Sequence, residues 1–222
     1  MSRFFRRGSS FSNSRRRFLH VVFDLDGTLT KPNAIDFASM RSRCNAPKGV
    51  DILSHIESHE DETKRSELHK IVEEEENKGL DRLELQEHCD DLFDYLAKSK
   101  TKCGILTRNN DAVMMKSVEK MKRGATAFEI MLSRSFQPTK PSPAPLEHIA
   151  KHFSVSAQDL IMVGDSIDDI QSAKSAGSFA ILIGHDSSPH FQEAFPLADA
   201  SVTTLRELQE LLEHLCESPN IS

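Results

Sequence analysis

Several features are missing from this 222-residue chain, and each absence closes off a class of protein. No apolar run is long enough to span a bilayer. The longest, such as Leu160–Val163, stop after a few residues. No apolar signal segment follows Met1, so secretion is not expected. The four cysteines, Cys44, Cys89, Cys103 and Cys216, form no CxxC pair and accompany no HxxxH spacing. This argues against a structural zinc site or a disulfide framework. There is no internal repeat. The formal net charge is −6, yet residues 1–19 carry six arginines (Arg3, Arg6, Arg7, Arg15, Arg16, Arg17) and no acid, so the remainder sits at −12. So acidic a body is a poor nucleic-acid binder. The basic, serine-rich segment of residues 1–17 reads as a solvated tail or as an organellar presequence. Those two readings put the protein in the cytoplasm or in a mitochondrion or chloroplast.

Hydrophobic and charged contents of 38% and 28% fit a soluble globular chain, with room for one α/β domain and an insertion. Leu19–Phe23 is an apolar run that ends in acids and reads as a buried strand. Residues 31–100 have a different texture. They are rich in charge and show helical spacing, with Ile52, Leu53 and Ile56 on one face and Leu80, Leu83, Leu85, Leu92, Phe93 and Leu96 on later ones. They are expected to form a helical insertion between core segments 18–30 and 101–222. Glu73–Glu76 within it is expected to be solvated surface. Beyond residue 100, strand and helix alternate: strand Cys103–Leu106, helix Asp111–Lys122, strand Phe128–Leu132 and a helix opened by Pro145. Then come strand Leu160–Val163, helix Ile170–Ala176 stopped by Gly177, strand Phe179–Ile183 and a closing helix Leu205–Leu215. This alternation predicts an α/β fold with a Rossmann-like parallel sheet covered on both faces.

In a parallel sheet, ligands bind beyond the carboxyl ends of the strands. Four groups are expected there. Asp24 and Asp26, in Phe23-Asp24-Leu25-Asp26-Gly27-Thr28, can divide a nucleophilic role from an acid/base one. A calcium loop counted from Asp24 would need Gly at its sixth position and Glu at its twelfth. Leu29 and Ile35 stand there instead, so that alternative fails. Thr107, Arg108 and Asn109 follow the second strand and can bind phosphoryl oxygens. Lys140, among Pro141, Pro143 and Pro145, can hold an ammonium against a phosphate and Asp24. Asp165 and Asp169, in Gly164-Asp165-Ser166-Ile167-Asp168-Asp169, can complete an oxygen-ligand site for Mg2+, with Asp168 expected as a helix cap.

The ordered set Asp-x-Asp-Gly-Thr, Thr, Lys, Gly-Asp-x-x-x-Asp resembles the haloacid dehalogenase-like superfamily. The likeness runs over about residues 19–200; the insertion matches the helical cap of phosphoglycolate phosphatase-like members, and the sequence looks especially like plant and algal hydrolases of this superfamily with such a short cap. The resemblance implies a sheet of order 5-4-1-2-3, Asp24 as nucleophile, Asp26 as acid/base, Thr107 on the phosphate and Lys140 as charge balance. It also implies Mg2+ held by Asp24, the Asp26 main-chain carbonyl and Asp165, with Asp169 supporting its water shell. Dehalogenases of this pattern lack the second acid, so the presence of Asp26 favours hydrolysis of a small phosphorylated metabolite. A phosphomutase and a non-catalytic scaffold are the alternatives. Arg41, Arg43, Lys48 and His55 are candidates for holding a polar substrate, and Gly49 and Gly79 for turns or hinges. A monomer or homodimer is expected, with neither nucleic acid nor membrane as partner.

Overall fold

The computed structural model describes residues 20–32, 34–185 and 188–216; the basic segment of residues 1–17 lies outside them. The chain divides into two compact units. One comprises the chain up to Thr30 and from Leu85 onward, and the other is Lys31–Glu84.

The larger unit is built on strands β1 (His20–Phe23), β2 (Lys102–Leu106), β3 (Ile130–Leu132), β4 (Leu160–Gly164), β5 (Phe179–Ile183) and β6 (Ala200–Val202). They form one sheet of order β3-β2-β1-β4-β5-β6, and every pairing is parallel. The first five strands reproduce the order implied by the resemblance, and β6 adds an edge strand the sequence did not suggest. It is three residues long, too short for a periodic signal. Alternate residues of β1 point to opposite faces, and both faces are buried. Val21 and Phe23 join Ile105, Ile161 and Ile181 under α4 (Cys89–Lys98), α5 (Asp111–Glu119) and α9 (Leu205–Cys216). Val22 joins Leu106, Met162 and Leu182 under α6 (Ala144–Phe153), α7 (Ile167–Ala176) and α8 (Pro189–Ala194). Burial on both faces explains why these strands read as apolar runs rather than as alternations.

The smaller unit holds α1 (Phe37–Arg43), α2 (Ile52–Glu57) and α3 (Glu62–Leu80). Asp36, Asp51 and Asp61 cap the three helices by accepting backbone N–H donors of their first turns. Met40, Cys44, Ile56, Leu68 and Val72 form the buried filling between them.

Three expectations are corrected here. The insertion ends at Glu84, not at residue 100. Helix α4 belongs to the larger unit because it buries Leu92, Phe93 and Leu96 on the sheet, where the Phe93 ring lies 5.4 Å from Phe23 and 4.9 Å from Phe128. Nor is the Glu73–Glu76 run all surface. Glu75 and Glu76 are buried, and Glu75 accepts from Arg43 at 2.6 Å and Lys78 at 2.8 Å. Finally, Gly79 is no hinge. It is a helical residue of α3, and a Cβ there would lie 2.9 Å from the Ala34 carbonyl oxygen. Close packing, not a turn, requires the glycine. Gly49, by contrast, has φ +83 in open space and does make a turn.

Candidate active site

The register of the central strands brings the polar groups together. Phe23 lies level with Ile105 on one side and with Val163 on the other, so β1 ends one residue before β2 and β4. The residues that follow, Asp24, Thr107 and Asp165, therefore emerge at one carboxyl edge. Asp24 remains tied to β4 through its N–H, which donates to the Val163 carbonyl at 2.9 Å.

Lys140 is buried and donates from Nζ to Asp24 Oδ1 at 2.7 Å and to Asp169 Oδ1 at 2.5 Å. The other Asp169 oxygen accepts from the Ser166 hydroxyl at 2.6 Å and the Ser166 N–H at 3.1 Å. Ser166, and not Asp168, is thus the cap of α7, in a reciprocal capping box with Asp169. Asp168 instead pairs with Arg108 at 2.6 Å. A serine three residues before an acid at the mouth of a helix was the sequence signal for this cap.

One oxygen each from Asp24, Asp165 and Asp169 lies within 4.8 Å of the others. Three carboxylates thus face a single ammonium. Burial, with Asp169 and Asp26 nearby, pushes the Asp24 carboxyl up to about 7, although Lys140 pulls it the other way. Burial and the charges of Asp24 and Asp169 push Asp165 up to about 8. Lys140 is held firmly protonated: its two carboxylate partners outweigh the burial that opposes its charge. A compact, net-negative, all-oxygen donor set fits a hard divalent cation. Two glycines keep the space small. A Cβ on Gly27, whose φ is +75, would collide with the Asp165 carboxylate, and one on Gly164 would collide with that of Asp169.

Asp26 stands beside this cluster. Its Oδ2 accepts from the Asn109 side-chain amide at 2.6 Å, and its Oδ1 lies 3.4 Å from the Thr30 hydroxyl. Burial raises the Asp26 carboxyl above the usual range against these two hydrogen bonds. Thr107 is buried, anchors to β3 through its N–H (2.9 Å to the Leu132 carbonyl) and accepts the Asn109 N–H at 3.1 Å. Of the expected site residues, Asp24, Lys140, Asp165 and Asp169 thus form one cluster. Arg108 and Asn109, expected on the substrate, direct their side chains to Asp168 and Asp26. Thr30 and Gln86, which donates to the Gly27 carbonyl at 3.2 Å, were not anticipated. Neither belongs to a recognisable spacing.

A family model for haloacid dehalogenase-like hydrolases matches residues 21–183. The chain is 35% identical over 218 residues to a haloacid dehalogenase-like hydrolase domain-containing protein of Arabidopsis thaliana, covering 91% of this chain and 86% of that one. It is 36% identical over 198 residues to an uncharacterized hydrolase of Saccharomyces cerevisiae, covering 88% and 91%. Among solved structures, one from Haemophilus somnus described as a predicted phosphoglycolate phosphatase superposes with a TM-score of 0.68. Its identity is 19% and the cover is 87% and 97%, a likeness of fold.

Proposed function

The chain belongs to the haloacid dehalogenase-like hydrolases, and on that premise we propose that it is a Mg2+-dependent phosphatase of a small phosphorylated metabolite, acting through an aspartyl-phosphate on Asp24. The observation that carries this reading is the Lys140 bridge between buried Asp24 and Asp169, with half-buried Asp165 completing a three-carboxylate cluster. A structural ion pair needs one acid per base. A surplus of two suits a cation and the anionic group it accompanies.

Asp24 and Asp165 would hold Mg2+ directly, with the Asp26 main-chain carbonyl as the further ligand the family resemblance implies and Asp169 behind them. When bound, Mg2+ neutralises charge on the phosphoryl group and aligns it. Lys140 occupies Asp24 Oδ1 and steadies the carboxylate while the nucleophile bonds to phosphorus. The ester P–O bond breaks as Asp26 gives its proton to the departing oxygen. Asp26 then takes a proton from water as that water attacks the same phosphorus. The Asp24–phosphorus bond breaks, inorganic phosphate leaves and both carboxyls return to their starting states. Thr107, at the end of β2, supplies a hydroxyl and neighbouring backbone N–H groups for phosphoryl oxygens.

The inserted unit Lys31–Glu84 is assigned the role of cap and substrate selector. Arg43 is committed to Glu74 and Glu75, and Arg41 to the carbonyls of Pro47 and Val50. Lys48 and His55 therefore remain the better candidates for reading the substrate.

The test is phosphate release from p-nitrophenyl phosphate and a panel of phosphorylated metabolites, with Mg2+, with EDTA, and with Asp24→Asn. Turnover that needs Mg2+ and falls at least ~10³-fold in Asp24→Asn supports the reading. Wild-type activity in Asp24→Asn would refute it. Transfer of the phosphoryl group to a second hydroxyl of the substrate, without free phosphate, would mark a phosphomutase instead.

A further inference from the structure

Asn109 sits just past β2, 5% exposed, and its backbone is fixed at both ends. Its N–H donates to Thr107 Oγ1 at 3.1 Å, and its carbonyl accepts from Arg134 N–H at 3.0 Å. From this anchored position its side-chain amide reaches across to β1's loop and meets Asp26 Oδ2 at 2.6 Å. On the other side of the carboxyl, Thr30 has one hydroxyl hydrogen and two acceptors within reach: the Leu25 carbonyl at 3.1 Å and Asp26 Oδ1 at 3.4 Å. The shorter contact has the stronger claim on that hydrogen, so Oδ1 is held more weakly than Oδ2. The two Asp26 oxygens are therefore unequal. Oδ2 is pinned as an acceptor by an amide that can only donate there, and Oδ1 is the oxygen that can carry a proton.

We propose that Asn109 is the positioning residue of the Asp26 acid: by holding Oδ2 it orients the carboxyl so that Oδ1 delivers its proton to the departing oxygen. The inference rests on Asp26 acting as the acid in the reading above. A buried amide with a fixed backbone can hold this geometry within a few tenths of an ångström, whereas a carboxyl without it rotates about its side-chain bonds and meets the leaving group in the right pose only part of the time.

The experiment compares kcat/KM for wild type, Asn109→Ala, Asp26→Asn and the double variant on p-nitrophenyl phosphate, phenyl phosphate and an alkyl phosphate monoester, all with Mg2+. That ratio reports aspartyl-phosphate formation, the step in which the leaving group departs. p-Nitrophenolate needs little protonation to leave, and an alkoxide needs it most. Asn109→Ala is expected to lose about tenfold or more on the alkyl ester, part of the 10²–10⁴ a general acid contributes, and less than about threefold on p-nitrophenyl phosphate. Added to Asp26→Asn it should change the rates by less than about twofold, because its effect runs through a group already removed. Asn109→Leu, which keeps the branched side-chain shape and removes the donor, should show the same split, so a loss of fold in the alanine variant does not decide the matter. An equal loss on all three esters, or an undiminished loss in the Asp26→Asn background, overturns the proposal while leaving the Asp26 acid intact. If Asp26→Asn itself loses equally on every ester, the acid role falls and the proposal falls with it.

Discussion

Two acidic clusters, one in each unit, each with a buried carboxylate at its centre, are put together on opposite terms. In the inserted unit, Glu75 is buried and answered by two cations, Arg43 and Lys78, which hold its carboxyl below the usual range. In the larger unit, Asp24, Asp165 and Asp169 share the single Lys140, and two of these carboxyls are pushed up to about 7 and 8. The first cluster is complete as it stands and serves packing. The second is short of positive charge in the protein alone, and that deficit separates a binding site from a structural ion pair.

Removing positive charge should break this contrast most sharply. Lys140→Met leaves buried carboxylates without their ammonium and is expected to cost about 3–5 kcal/mol in urea unfolding, less when Mg2+ is present. Phosphate release should fall by about 10²-fold or more. Supplying positive charge should sharpen it. Mg2+ with a phosphoryl mimic at about 100 times the dissociation constant is expected to add about 2.7 kcal/mol, read as a rise in melting temperature that EDTA reverses. A chain whose melting is indifferent to both would have no such site. Next is Gly27→Ala, whose methyl would meet Asp165 at a left-handed backbone position. A strain of about 1–3 kcal/mol and weaker Mg2+ binding by titration calorimetry are expected. The smallest effect is at the balanced cluster. Glu75→Gln should lower the melting temperature slightly at neutral pH and leave the Mg2+-induced rise unchanged. Because the folded carboxyl is depressed, its contribution is present above the ordinary value of 4.5 and is lost as pH falls through the folded value. The difference between wild type and Glu75→Gln should therefore close in acid.

The same contrast marks what the sequence could carry. The strand ends bearing Asp24, Thr107 and Asp165 were legible because both-face burial writes an apolar run and the acids interrupt it abruptly. The candidate site of the larger unit was legible because its residues fall in ordered short motifs. The balance at Glu75 was not, since its partner Arg43 lies 32 residues away and nothing in a run of glutamates tells which one turns inward. Helix α4 was misassigned for a related reason. The apolar residues from Leu80 to Leu96 mark neither the end of α3 at Leu80 nor the start of α4 at Cys89, and do not say which unit a helix packs against. The Asn109 contact spans 83 residues and has no periodicity at all.

The site is also scattered along the chain. Lys140 reaches Asp24 across 116 residues, and Asp165 comes later still. Pairings between segments so far apart form late, after the ends of long loops have been brought together. During synthesis the acids after β1 emerge first and stay in water until β4 docks beside them. A chain halted before Ile161 is expected to release no phosphate from p-nitrophenyl phosphate in a stalled-ribosome assay. Catalytic competence is then expected only once β4 has docked beside β1 and brought Asp165 to Asp24.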